Sequence, residues 1–183
     1  LGAEALVREW RADGAIVTEP TDLQIAVSHK GFTWLEVETL GRAAHGSRPE
    51  EGRDAIFAMG RVVGALEHVD RALRSGARHA RLGPASLHAS TVRGGREWSI
   101  YPDQCLLQVE RRRLPGEAAD TPLEEIEHVL RALRQQDETF DARARMVFSR
   151  DPYEVEERAE LPQALARACA ACRAPVAFSG VSF

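Results

Sequence analysis

From Phe32 to Leu40 the side chains alternate, with Leu35, Val37 and Thr39 on one side and Trp34, Glu36 and Glu38 on the other. A period of two with one apolar face specifies a half-buried β-strand. The segments downstream of this strand narrow the fold further. A helix is predicted from about Asp54 to Arg74, with Ile56, Met59, Val62, Val63, Leu66, Val69 and Leu73 at helical spacing along one face. Strands are predicted over 85–92 and 104–112, the second with Cys105, Leu107 and Val109 on one face and Gln108, Glu110 and Arg112 on the other. Thr121-Pro122-Leu123-Glu124 reads as a capping box with proline at the first helical position, opening a helix to about Gln136. A last alternation, Ala142, Ala144, Met146 and Phe148 on one face, ends at Asp151-Pro152. Strand, helix, strand, strand, helix, strand is the split βαβ order. The fold class expected is therefore α+β, a ferredoxin-like β-α-β-β-α-β sandwich: an antiparallel four-stranded sheet with two helices on one face.

The flanks read differently. Residues 2–13 suggest a helix, Ala15-Ile16-Val17 a short buried strand, and Leu23 to Val27 another. A final helix is expected over about 160–172, before the apolar stretch Pro175 to Phe178. These are elements of an α/β domain that the sandwich interrupts, so the expected division is 1–29, 30–149 and 150–183. The chain opens on Leu1 inside a helical pattern and closes on Phe183 without a polar tail. Both ends are expected to be cuts within a longer protein.

With 24 Lys and Arg against 28 Asp and Glu, a formal charge of −4 offers nucleic acid or an acidic membrane no electrostatic attraction. No apolar run approaches the ~20 residues that span a bilayer. Cys105, Cys169 and Cys172 make no disulfide framework, which favours a reducing cytoplasm. The Cys169–Cys172 spacing lies on an Ala-rich helix without a nearby His and reads as packing. His29, His68, His79, His88 and His128 show no ligand spacing, and His68 and His128 fall outside the apolar helix faces.

Three segments carry a resemblance: Ala15 to Pro20; His29-Lys30-Gly31 through Gly41-Arg42-Ala43-Ala44-His45-Gly46-Ser47-Arg48-Pro49; and Tyr101-Pro102-Asp103 with Glu110 to Glu117. Together they resemble the acetylornithine deacetylase, succinyl-diaminopimelate desuccinylase and glutamate carboxypeptidase family of zinc hydrolases. The resemblance implies a dimerisation lid inserted into a catalytic domain, two zinc ions with a bridging water, and cleavage of an N-acyl amino acid or small peptide amide. Zinc polarises the carbonyl and lowers the pKa of the water, and cobalt or manganese suits the same ligands. Residue by residue, it implies that Glu19 binds one zinc. His45 reaches across a homodimer to stabilise the oxyanion in the other subunit's site. Arg112 holds the substrate carboxylate, a task for a planar fork, with Arg111 facing the other way and Arg113 the alternative if the register slips. Ser99 stands where the family usually has a substrate-binding Asn, and it lacks the amide's reach and double function. The remaining metal ligands and the general base are expected outside this sequence, and the chain by itself is expected to be inactive. The competing expectation is a stand-alone ferredoxin-like module for dimerisation or small-ligand binding, without catalysis.

Overall fold

The computed structural model of the protein describes residues 2–182; Leu1 and Phe183, the two ends read as cuts, lie outside them. In chain order the elements are α1 (Gly2–Glu9), β1 (Ile25–His29), β2 (Gly31–Leu40), α2 (Ala55–Ser75), β3 (Arg78–His79), β4 (Gly83–Pro84), β5 (Ser86–Gly94), β6 (Gln104–Arg113), α3 (Thr121–Gln136), β7 (Asp141–Arg150), β8 (Tyr153–Glu154), α4 (Glu160–Ala171) and β9 (Phe178–Val181). They form two compact units, Leu1–Val27 with Val155–Ser179, and Ser28–Glu154 with Gly180–Phe183.

The larger unit is built on a four-stranded sheet in the order β5-β6-β2-β7, every neighbour antiparallel. This is the ferredoxin-like order, with α2 and α3 covering one face. The alternation of β2 and β6 turns Leu35, Val37, Cys105, Leu107 and Val109 inward, where they pack against Met59, Val62, Leu66, Ile126 and Leu130. Thr39 is one of the buried polar residues on this face, and its hydroxyl donates to the carbonyl of Ala55 at 2.8 Å. That bond satisfies a buried group and ties the end of β2 to the start of α2.

Three local expectations for this unit differ from the structure. A bulge in β7 shifts the register, so Leu35 opposes Met146 while Trp34 opposes Phe148. Phe148 therefore joins the outer face, its ring 5.2 Å from Trp34 and 5.8 Å from Phe32; one extra residue reverses the side to which later side chains point. Thr121 is already helical, and α3 is preceded by Asp120 without a side-chain cap, so the expected capping box does not form. α2 buries Ala55 and Ala58 beside Met59, Val62 and Leu66, leaving Ile56 and Val63 exposed. Small residues let the helix approach the sheet, a rotation that counting bulky side chains misses.

In the smaller unit, Ala15-Ile16-Val17 forms no strand and is exposed, with Val17 at 75%. No described strand pairs with it, and an unpaired triplet has neither ladder nor cover. α1 ends at Glu9, short of the expected Asp13, and the strand expected from Leu23 begins at Ile25 because Asp22 and Leu23 adopt positive φ. α4 spans the expected final helix, with Cys169 and Cys172 both free.

Candidate functional site

The loop after β2 carries His45. Gly41 begins it, at a point where a Cβ would lie 2.2 Å from the Arg53 carbonyl and 2.5 Å from that of Pro102. Only glycine lets three backbone segments meet so closely. Arg42 and Arg53 then bond reciprocally, at 2.8 and 2.9 Å, and close the loop at its neck. On its other side the loop pairs with the segment before β6. Tyr101 N–H donates to Ala44 at 2.9 Å, Gly46 N–H donates to Ser99 at 2.7 Å, and His45 bridges Ile100. The structure thus brings together His45 and Ser99, though through the Ser99 carbonyl. The Ser99 hydroxyl donates to Glu97 at 3.4 Å, and both residues are exposed. The His45 ring is held by Ser47, whose Oγ lies 2.8 Å and whose N–H lies 3.2 Å from Nδ1.

Arg112 lies at the other end of the sheet. It opposes Phe32 in β2, whereas Leu40, just before the His45 loop, opposes Gln104. The eight-residue separation between Phe32 and Leu40 corresponds to about 26 Å at ~3.3 Å per residue. Within one chain, His45 and Arg112 therefore cannot meet on a small substrate. Arg112 is on the outer face, as its alternation requires, with its Nε donating to Glu110 at 2.6 Å and its guanidinium 5.2 Å from the Phe32 ring centre. Trp34 Nε1–H donates to the same Glu110 at 2.8 Å. Burial pushes Glu110 up, but the hydrogen bonds from Trp34 and Arg112 outweigh it and hold the carboxyl below its usual range. Nη1 of Arg112 is buried without a partner, a donor still to be satisfied. Buried Lys30 donates to the Pro84 carbonyl at 2.6 Å, and burial, followed by Arg112, Arg74 and Arg78, lowers its pKa.

The neighbours of Arg112 point inward. Arg111 is fully buried, bonding Glu117 at 2.8 Å and Glu125 at 2.9 Å. Arg113, the residue that a slipped register would offer, is also buried, and it bonds Ser149, the Arg150 carbonyl and Asp151. Of the three arginines only Arg112 is partly exposed.

Glu19 is exposed in the irregular stretch of the smaller unit. Among the described residues no group of three or more His, Cys, Asp or Glu side chains could hold a metal ion, so those residues do not make a metal site by themselves. His68, His88 and His128 are exposed on their elements. His79 is a structural staple: Nδ1 accepts from Arg81 and Leu82 N–H at 3.2 and 3.1 Å, and Nε2 meets Glu154 at 2.9 Å. The residues that sequence reasoning missed are Ser47 and Glu110. The close spacing of Ser47 to His45 was a usable signal; the pairing of Glu110 with Trp34 was not, since it depends on register.

The family described as the peptidase dimerisation domain matches residues 27–138. This chain belongs to that family. The chain shares 32% identity over 150 residues with the acetylornithine deacetylase of Myxococcus xanthus, covering 80% of the chain and 40% of that protein. It shares 31% identity over 117 residues with the uncharacterized protein YgeY of Escherichia coli strain K12, covering 63% of the chain and 28% of that protein. In fold it resembles the aminopeptidase PepT of Bacillus cereus, with a TM-score of 0.68 at 13% identity, covering 87% of the chain and 40% of PepT. The chain thus spans well under half of each of these proteins. Among the described residues no helix is long and apolar enough to cross a membrane.

Proposed function

We propose that the chain is the lid and dimerisation part of a metal-dependent amide hydrolase that cleaves an N-acyl amino acid or small peptide. Its named relatives include a deacetylase and an aminopeptidase. In this reading Glu19 supplies one ligand to a pair of zinc ions, with cobalt or manganese as alternatives, and residues outside this sequence supply the rest. The setting is the cytoplasm, and the 183-residue chain alone has no hydrolase activity.

The observation that carries the reading is the placement of His45 and Arg112 at opposite ends of β2. If both act on one substrate, they come from two different subunits. Arg112 then holds the substrate carboxylate in its own subunit's site, and Ser99 lines the pocket beside His45. His45 donates a hydrogen bond to the oxyanion of the partner's site. Removing such a donor typically costs about 2.7–4 kcal/mol of transition-state stabilisation.

A mixed dimer of the complete enzyme tests this directly. One subunit carries His45→Ala and the other Arg112→Ala. Across-subunit action leaves one site with both residues intact, so the purified mixed dimer recovers about half the native kcat while each parent homodimer is nearly inactive. A mixed dimer as inactive as its parents would sink the proposal.

A further inference from the structure

We propose that Ser47 is a positioning residue for His45, holding its neutral imidazole as the Nε2–H tautomer so that Nε2 is the donor the ring presents. The inference rests on the reading of His45 as an oxyanion donor and adds how the ring is prepared for it.

A peptide N–H can only donate. With Ser47 N–H 3.2 Å from Nδ1, that nitrogen must offer its lone pair. The Ser47 hydroxyl, 2.8 Å from the same atom, then donates to it as well. A neutral imidazole carries one ring proton, and Nε2 is the position left for it. The opposite tautomer would turn a lone pair at Nε2 toward the developing negative charge and repel it.

The backbone around the ring is pinned on both sides, by Gly46 N–H to Ser99 at 2.7 Å and Arg48 N–H to the His45 carbonyl at 2.8 Å. The same local device occurs elsewhere in the fold. At His79 two backbone N–H groups occupy Nδ1, and Nε2 engages Glu154 at 2.9 Å. At His45 no described residue bonds Nε2, so the oriented donor is available to a group from outside the chain.

Ring nitrogen-15 spectra of the labelled 183-residue chain test the proposal at pH about 8.5, where an unperturbed imidazole is neutral. The His45 signals are identified by their loss in His45→Gln. The expected result is an unprotonated Nδ1 and a protonated Nε2. Ser47→Ala keeps the backbone N–H but removes the hydroxyl, the shorter of the two contacts to Nδ1, so it should raise the Nδ1–H fraction severalfold, and Ser47→Thr should restore the native ratio. In the complete enzyme Ser47→Ala should lower kcat with KM little changed. An Nδ1–H ring in the native chain, or a ratio that Ser47→Ala leaves untouched, overturns the assignment whatever kcat does. A ring that is Nε2–H, in an enzyme whose kcat survives His45→Gln, instead sinks the donor reading and leaves the tautomer assignment standing.

Discussion

Arg111, Arg112 and Arg113 are consecutive and chemically identical, yet the pleat sends them to different work. Arg111 is fully buried against Glu117 and Glu125, while Arg112 keeps a partly exposed guanidinium on the outer face. Removing one partner of a buried ion pair strands the others, at a cost of about 3–5 kcal/mol. Glu117 and Glu125 retain some solvent contact, so Arg111→Ala should lose about 3 kcal/mol in urea unfolding; a loss under about 1 kcal/mol would show that the network is not structural. Asp137 gives a pH signature. The Thr139 hydroxyl, then Arg61, then the Thr139 N–H lower its pKa from the ordinary 3.8 to about 2. Because the folded value is depressed, the contribution is present above the ordinary aspartate value and is lost as pH falls through about 2. Carboxyl NMR titration should show that midpoint, and Asp137→Asn should remove this component of acid sensitivity.

Elements show where a local period suffices and where it fails. The alternation in β2 and β6 identifies their buried faces because each pleat turns successive side chains apart by steric necessity. In β7 the same rule fails past Met146, since the bulge is a property of the pairing with β2. At the start of α2, Asp54 accepts from the N–H groups of Ile56 and Phe57 at 2.8 and 2.9 Å. Asp54→Ala should therefore destabilise the chain by about 1 kcal/mol, seen as a lower urea midpoint without a change in slope. α3 has no such cap despite its Thr121-Pro122-Leu123-Glu124 sequence. A capping pattern works only if its first residue sits outside the helix, and here the Asp120 carbonyl already accepts from Leu123 and Glu124.

Across the whole molecule, the two sheet edges differ. β7 presents Arg143, Arg145 and Arg150 along a charged margin, whereas β5 carries the run Leu87 to Val92, free of Lys, Arg, Asp and Glu, and among the described strands pairs only with β6. An open edge without such charges is available for pairing, and Phe57 at 77% and Val92 at 59% exposure lie on α2 and β5. Sedimentation should show a dimer of this chain, and Phe57→Glu combined with Val92→Lys should shift it to monomer. A native chain that stays monomeric at high micromolar concentration would remove the basis for action across subunits. The sequence alone determined the β-α-β-β-α-β order of the four-stranded sandwich, the inward faces of β2 and β6, and the glycine-bracketed loop around His45. Those follow from the pleat, the helical period and local steric limits, which depend on neighbouring residues. Only the tertiary structure decided the β7 bulge, the burial of Ala55 and Ala58, the pairing of Gly46 with Ser99, and the distance along β2 between His45 and Arg112. Each depends on hydrogen bonds or packing between residues far apart in the chain, which no local period encodes.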